Sequence, residues 1–97
     1  MFDKFKQLYD LQKQARAIQK ELGAIIVSAE VAGGKVRVEM TGDQKIKSIF
    51  IDSSLCDPKF KPELENLIKE AIAAVIVKSQ RAAAEKMREI GGLPGLL

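Results

Sequence analysis

Lysine recurs at positions 6, 13 and 20, and this seven-residue spacing is the most chemically suggestive pattern in the sequence. On a helix such a spacing sets the three ammonium groups on one line about 21 Å long. Arg16 stands beside that line. A row of fixed cations on this scale suits the phosphate backbone of a nucleic acid. A second basic group, Lys78, Arg81, Lys86 and Arg88, lies towards the C-terminus among Glu85 and Glu89. The plainer reading of both groups is a solvated helix face, for which lysine is a usual choice.

Other chemistries find little support. The sequence has no histidine, which removes Ser-His-Asp and Cys-His nucleophiles and histidine-containing zinc sites. Its one cysteine, Cys56, has no imidazole beside it. The apolar neighbour Leu55 suggests that Cys56 is a partly buried filler residue. The thirteen carboxylates show no spaced metal-binding motif. Asp52 and Asp57 flank a turn, where aspartate serves backbone hydrogen bonding. Ala32-Gly-Gly-Lys35 lacks the spacing of a phosphate loop and reads as a hairpin turn. With no Trp, one Tyr and four Phe there is no stacking platform for single-stranded bases. An enzyme is not expected, nor a cofactor or a metal.

The elements that must carry the cations follow from periodicity. Ninety-seven residues suffice for one core, and the net charge of +3 is mildly basic. No stretch has the roughly 20 apolar residues needed to cross a bilayer. The absence of a secretory signal in the residues given, together with the single cysteine, points to a reducing cytoplasm. Leu8, Leu11, Ala15, Ile18 and Leu22 follow the spacing of one helix face, so residues 3–22 read as a helix. Gly23 is expected to end it, and its apolar face is expected to pack on the core with Phe2 and Phe5 beside it. Three short runs then alternate: residues 25–31, then Val36, Val38 and Met40 between Lys35, Arg37 and Glu39, then residues 45–52. Glycine-bearing turns join them into an antiparallel meander. Ile49, Phe50 and Ile51 are consecutive, which predicts a third strand partly buried on both sides. After the Pro58-containing connection, a helix with Pro62 in its first turn meets no breaker before Gly91. The expected fold class is α+β: a helix, a three-stranded antiparallel meander and a long C-terminal helix (α-β-β-β-α). Residues 1–90 form one domain, and 91–97 are expected to be a mobile tail.

The long helix carries two further signals. Its middle, Ala71 to Val77, is apolar around the whole circumference, which calls for partners on more than one side. A second copy of the chain is the simplest supply of surface, so Ala71, Ile72, Val75, Ile76 and Val77 are the expected interface of a homodimer. A helix sandwiched within one chain is the alternative. The helix from Pro62 to Ile90 is also about 43 Å long, against about 23 Å for a seven-residue strand, so its last turns should project as an arm. A protein-interaction module would use the arm's apolar end, at Met87, Ile90 and Leu93, to grip a protein partner.

The order of these parts resembles the YbaB/EbfC family of nucleoid-associated proteins over almost the full length. The matching residues are the Gln- and Lys-rich first helix (4–22), Gly-Gly-Lys-Val-Arg-Val-Glu-Met-Thr-Gly (33–42) and Ile-Lys-Ser-Ile-Phe-Ile-Asp (46–52). Leu55, residues 64–71 and Lys-Met-Arg-Glu-Ile-Gly-Gly-Leu-Pro-Gly (86–95) complete the set. Asp52-Ser-Ser departs from the Asp-Pro common in the family, which leaves the shape of that connection open. The resemblance implies a tweezer-like homodimer with projecting helices, found in the bacterial nucleoid. It implies DNA binding in the cytoplasm, in nucleoid organisation or gene expression, and the helix ends of the expected homodimer would straddle double-stranded DNA. It supplies no fixed DNA-reading residues.

Overall fold

In the computed structural model, residues 2–90 are described, and the side chain of Phe2 lies outside the description. The expectation of a mobile tail at 91–97, Leu93 included, falls outside it too. Helix α1 spans Phe2–Ala24, strands β1, β2 and β3 span Ile26–Val31, Val36–Thr41 and Ile46–Ile51, and helix α2 spans Lys61–Ile90. The strands pair antiparallel in the order β1-β2-β3, which is the expected meander.

Local chemistry explains the junctions. Between β1 and β2, Ala32, Gly33 and Gly34 take φ of 54°, 66° and 89°, a left-handed run in which two glycines avoid a Cβ penalty. Asp52 accepts the Ser54 N–H and Asp57 accepts the Lys59 N–H, both at 3.0 Å, as aspartates in turns commonly do. Pro62 stands in the first turn of α2, where no helical N–H is missed. Leu55 is buried, whereas Cys56 is exposed with its Sγ towards the Asp52 carbonyl, so the expected partial burial belongs to its neighbour.

The core is the contact between α2 and one face of the sheet. Ala29, Val36, Val38 and Met40 meet Ala71 and Val75, with Leu55 at one end. Each fully buried valine contributes about 1.5–3 kcal/mol relative to an exposed one. Arg37 and Glu39 alternate with these residues on the opposite, wet face of β2.

Three expectations are corrected. Gly23 does not end α1, because the helix runs on to Ala24; it ends where Ile25 N–H and Gly42 N–H both reach the Leu22 carbonyl, at 3.1 and 2.9 Å. The apolar face of α1 does not cover the core: Phe5 is 71% and Leu8 58% exposed, Leu11 and Ala15 are exposed, and Ile18 and Leu22 are only half-buried. Three strands are about 10 Å across, the width of one helix, so α2 leaves no room for a second. The third correction concerns β3, which is exposed on both faces from Ile46 to Phe50, with only Ile51 half-buried against the core. Helix α2 lies across β1 and β2, leaving β3 as an edge strand with Ile46 48% and Ile49 46% exposed.

The β2–β3 turn is held by charge-assisted bonds. The Thr41 hydroxyl donates to the Asp43 carboxylate, and Lys45 Nζ lies 3.7 Å from it. Chiefly through the Thr41 hydroxyl, the Asp43 carboxyl is held below its ordinary value of 3.8. A depressed carboxyl stabilises the fold fully above the unfolded-state value and loses that contribution as pH falls through the folded-state value. The turn should therefore hold from neutral pH down to the ordinary carboxylate range and loosen only below it. Carboxyl-carbon NMR is expected to give an Asp43 midpoint below 3.8 and an upward move in Thr41→Val.

Candidate nucleic-acid interface

Helix α1 is a rod standing clear of the body. From Asp3 to Ala17 every residue is exposed, and α1 meets the sheet at β2, where Gly42 N–H bonds its last turn. The molecule measures 66 × 21 × 17 Å, although α2 accounts for only about 45 Å of length. The main projection is thus the N-terminal helix, which the sequence periodicity assigned to the core.

Lys6, Lys13, Arg16 and Lys20 are all exposed on this rod, and none is ion-paired with another described residue. Tyr9, Gln12, Lys13 and Arg16 line a shallow recess along it. Tyr9 and Gln12 were not expected there from charge alone. Their spacing before Lys13 and Arg16, i to i+4 in both cases, is the signal that would have found them. A phenol and an amide beside two cations can donate hydrogen bonds to phosphate oxygens.

The second basic group is divided. Arg81 and Arg88 are exposed, but Lys78 Nζ donates to the Ser28 carbonyl of β1 at 2.8 Å. Lys86 is half-buried with Nζ 3.7 Å from the Glu89 carboxylate. The Lys86 and Lys78 ammonium groups are therefore engaged within the chain, which concentrates uncommitted positive charge on α1.

The apolar middle of α2 is divided as well. Ala71 and Val75 are fully buried in the chain's own core, Ile72 and Ile76 are half-buried, and Val77 is exposed. Lys78 reaches β1, so the opposite flank of α2, with Ile72 and Ile76, lies on the β3 side. There the strand register pairs Val38 with Ile49 and Met40 with Ile46. Cross-strand partners share a face, so Ile46 and Ile49 point to the same side as the buried Val38 and Met40 without a helix above them. The result is an open apolar notch between α2 and β3. Its β3 residues were missed because consecutive apolar residues read equally well as an interior strand.

The chain is thus a helix-sheet-helix body of small α+β type whose N-terminal helix carries a row of exposed cations. The family model of the YbaB/EbfC DNA-binding family matches residues 1–93, and the chain belongs to that family, which is one of DNA-binding proteins and not of enzymes. A nucleoid-associated protein of Chloroflexus aurantiacus is 37% identical over 87 residues, covering 89% of this chain and 87% of the relative. Another, from Akkermansia muciniphila, is 36% identical over 95 residues, covering 94% and 91%. The crystal structure of an uncharacterized Helicobacter pylori protein superposes with a TM-score of 0.67 at 20% identity, over 94% of this chain and 92% of that one, a likeness of fold. No helix among the described residues is long and apolar enough to cross a membrane.

Proposed function

We propose that the chain binds double-stranded DNA as a homodimer, with little sequence preference, and acts in the bacterial nucleoid. The supporting observation is the row Lys6, Lys13, Arg16 and Lys20 on a helix exposed on all sides. Arg81 and Arg88 extend the positive surface from α2, while Lys78 and Lys86 contribute after leaving their present partners. Two copies joined through the notch of Ile46, Ile49, Ile72 and Ile76 present two such rods, as in a pair of tweezers. Contacts of this kind go to phosphates, which position a protein without reading bases.

The test is a titration of fluorescent duplex over a range of salt. With about six phosphates neutralised per dimer, log affinity falls with log salt at a slope near −5. A flat response rejects the phosphate-based reading.

A second reading, a module that grips a protein partner, is favoured by the exposed Phe5, Leu8 and Tyr9 on the same rod and by the exposed Ile90 at the end of α2. It requires binding that survives high salt and a stoichiometric protein, rather than nucleic acid, accompanying the purified chain.

A further inference from the structure

The direction of the α1 rod is controlled at one place. Gly42, buried at the end of β2, donates its N–H to both the Leu22 carbonyl at 2.9 Å and the Ile25 carbonyl at 3.0 Å. A Cβ at position 42 would lie 2.7 Å from the Leu22 carbonyl oxygen, a backbone atom that yields only if the end of α1 moves. One residue earlier, the Thr41 carbonyl accepts the hydroxyl of Ser79 from α2 at 2.8 Å, and Ser79 is 0% exposed. The Thr41 carbonyl also accepts the Gln44 N–H, and the Thr41 hydroxyl accepts the Lys45 N–H, both at 3.0 Å. A single turn therefore grips the C-terminal end of α1 and the middle of α2, the two helices that carry the basic residues.

We infer that Thr41-Gly42, clasped by Leu22 on one side and Ser79 on the other, is the joint that sets the angle between α1 and α2 and so positions the basic residues on DNA. This rests on the DNA reading above. Leverage makes the joint consequential. Lys6 lies about 24 Å along the helix from Leu22, so a tilt of about 10° moves it about 4 Å. That exceeds the 3.4 Å rise between successive phosphates of one strand. Gly42 and Ser79 are accordingly positioning residues that touch no DNA.

Gly23 supplies an internal control. It lies inside α1 beside the same turn, but a Cβ there meets only the Asp43 carboxylate at 3.6 Å, ordinary contact. The experiment places spin labels at Gln14→Cys and Gln80→Cys in a Cys56→Ser background, with labelled chains diluted into unlabelled ones. The distance distribution between labels and the affinity for duplex are then measured. Gly42→Ala is expected to shift the mean distance by several ångströms and weaken binding about tenfold, whereas Gly23→Ala changes neither. If Gly42→Ala does not fold, Ser79→Ala carries the test and is expected to broaden the distribution and weaken binding. An unchanged distribution overturns the joint, and a shifted distribution with unaltered affinity overturns its positioning role. Failure of the unsubstituted chain to bind DNA counts against the DNA reading instead, and the distance measurement still judges the joint.

Discussion

Replacing Lys6, Lys13 and Lys20 together by glutamate is expected to lower affinity for every duplex by about a hundredfold or more at 0.1 M salt, and to make the salt slope markedly shallower, with Arg16, Arg81 and Arg88 left in place. The reason is arithmetic. In the proposed dimer six cationic side chains become six anions, so the counterions they would release from DNA stay bound, and repulsion is added. The fold should survive, because all three positions are exposed and glutamate is nearly as good a helix former as lysine. Circular dichroism, thermal midpoint and dimer mass should match the unsubstituted chain. Changing the same residues to glutamine, which removes charge without reversing it, should give an intermediate loss. Equal loss at all duplex sequences supports phosphate contacts, whereas loss at some sequences alone places these residues at base edges. Unchanged affinity makes the row a solvated face.

The elements themselves were legible because each is written in local chemistry. The 3.6-residue period of Leu8 to Leu22, the alternation Val36-Val38-Met40 and the Pro62 start of α2 are decided within a few residues, and all three elements are present. What periodicity could not decide is which apolar stripe reaches the core. Leu8, Leu11 and Ala15 have the same spacing as a buried helix face, yet α2 already fills the width of the sheet and α1 is left outside. Competition between two amphipathic helices for one face is a tertiary matter that no window of sequence contains. The same competition explains β3: Ile49 pairs with the buried Val38, yet α2 sits over β1 and β2.

The candidate site was legible in charge and obscure in commitment. Lys6, Lys13 and Lys20, with Arg16 beside them, are all exposed on one helix. Lys78 and Lys86 look identical to them in sequence but are held by Ser28 and Glu89. Whether a lysine is uncommitted depends on what the fold brings within reach, and Ser28 is fifty positions from Lys78. Gly42 carries the same lesson: its ordinary role as a turn glycine hides the carbonyl of Leu22 that leaves no room for a side chain.

Introducing charge into the α2–β3 notch is expected to have the larger effect on assembly. Ile46→Glu with Ile49→Glu should convert the dimer to a monomer by light scattering and weaken DNA binding by about a hundredfold or more. Both side chains are about half exposed in the single chain, so glutamates there remain hydrated and the α2–sheet core of Val36, Val38 and Val75 stays intact. In the proposed dimer the same glutamates become buried without partners, which costs several kcal/mol per ion. The effect on DNA follows from linkage: two rods held together bind with an avidity that exceeds one rod's affinity by about 10²–10⁴. Phe50 provides the control within the same strand, since successive residues of a strand point to opposite faces. Phe50→Glu, on an equally exposed residue, should leave both dimer mass and DNA affinity unchanged. Should Phe50→Glu dissociate the dimer while Ile46→Glu with Ile49→Glu does not, the copies meet through the outer face of the sheet, and the notch beside α2 is open for another partner.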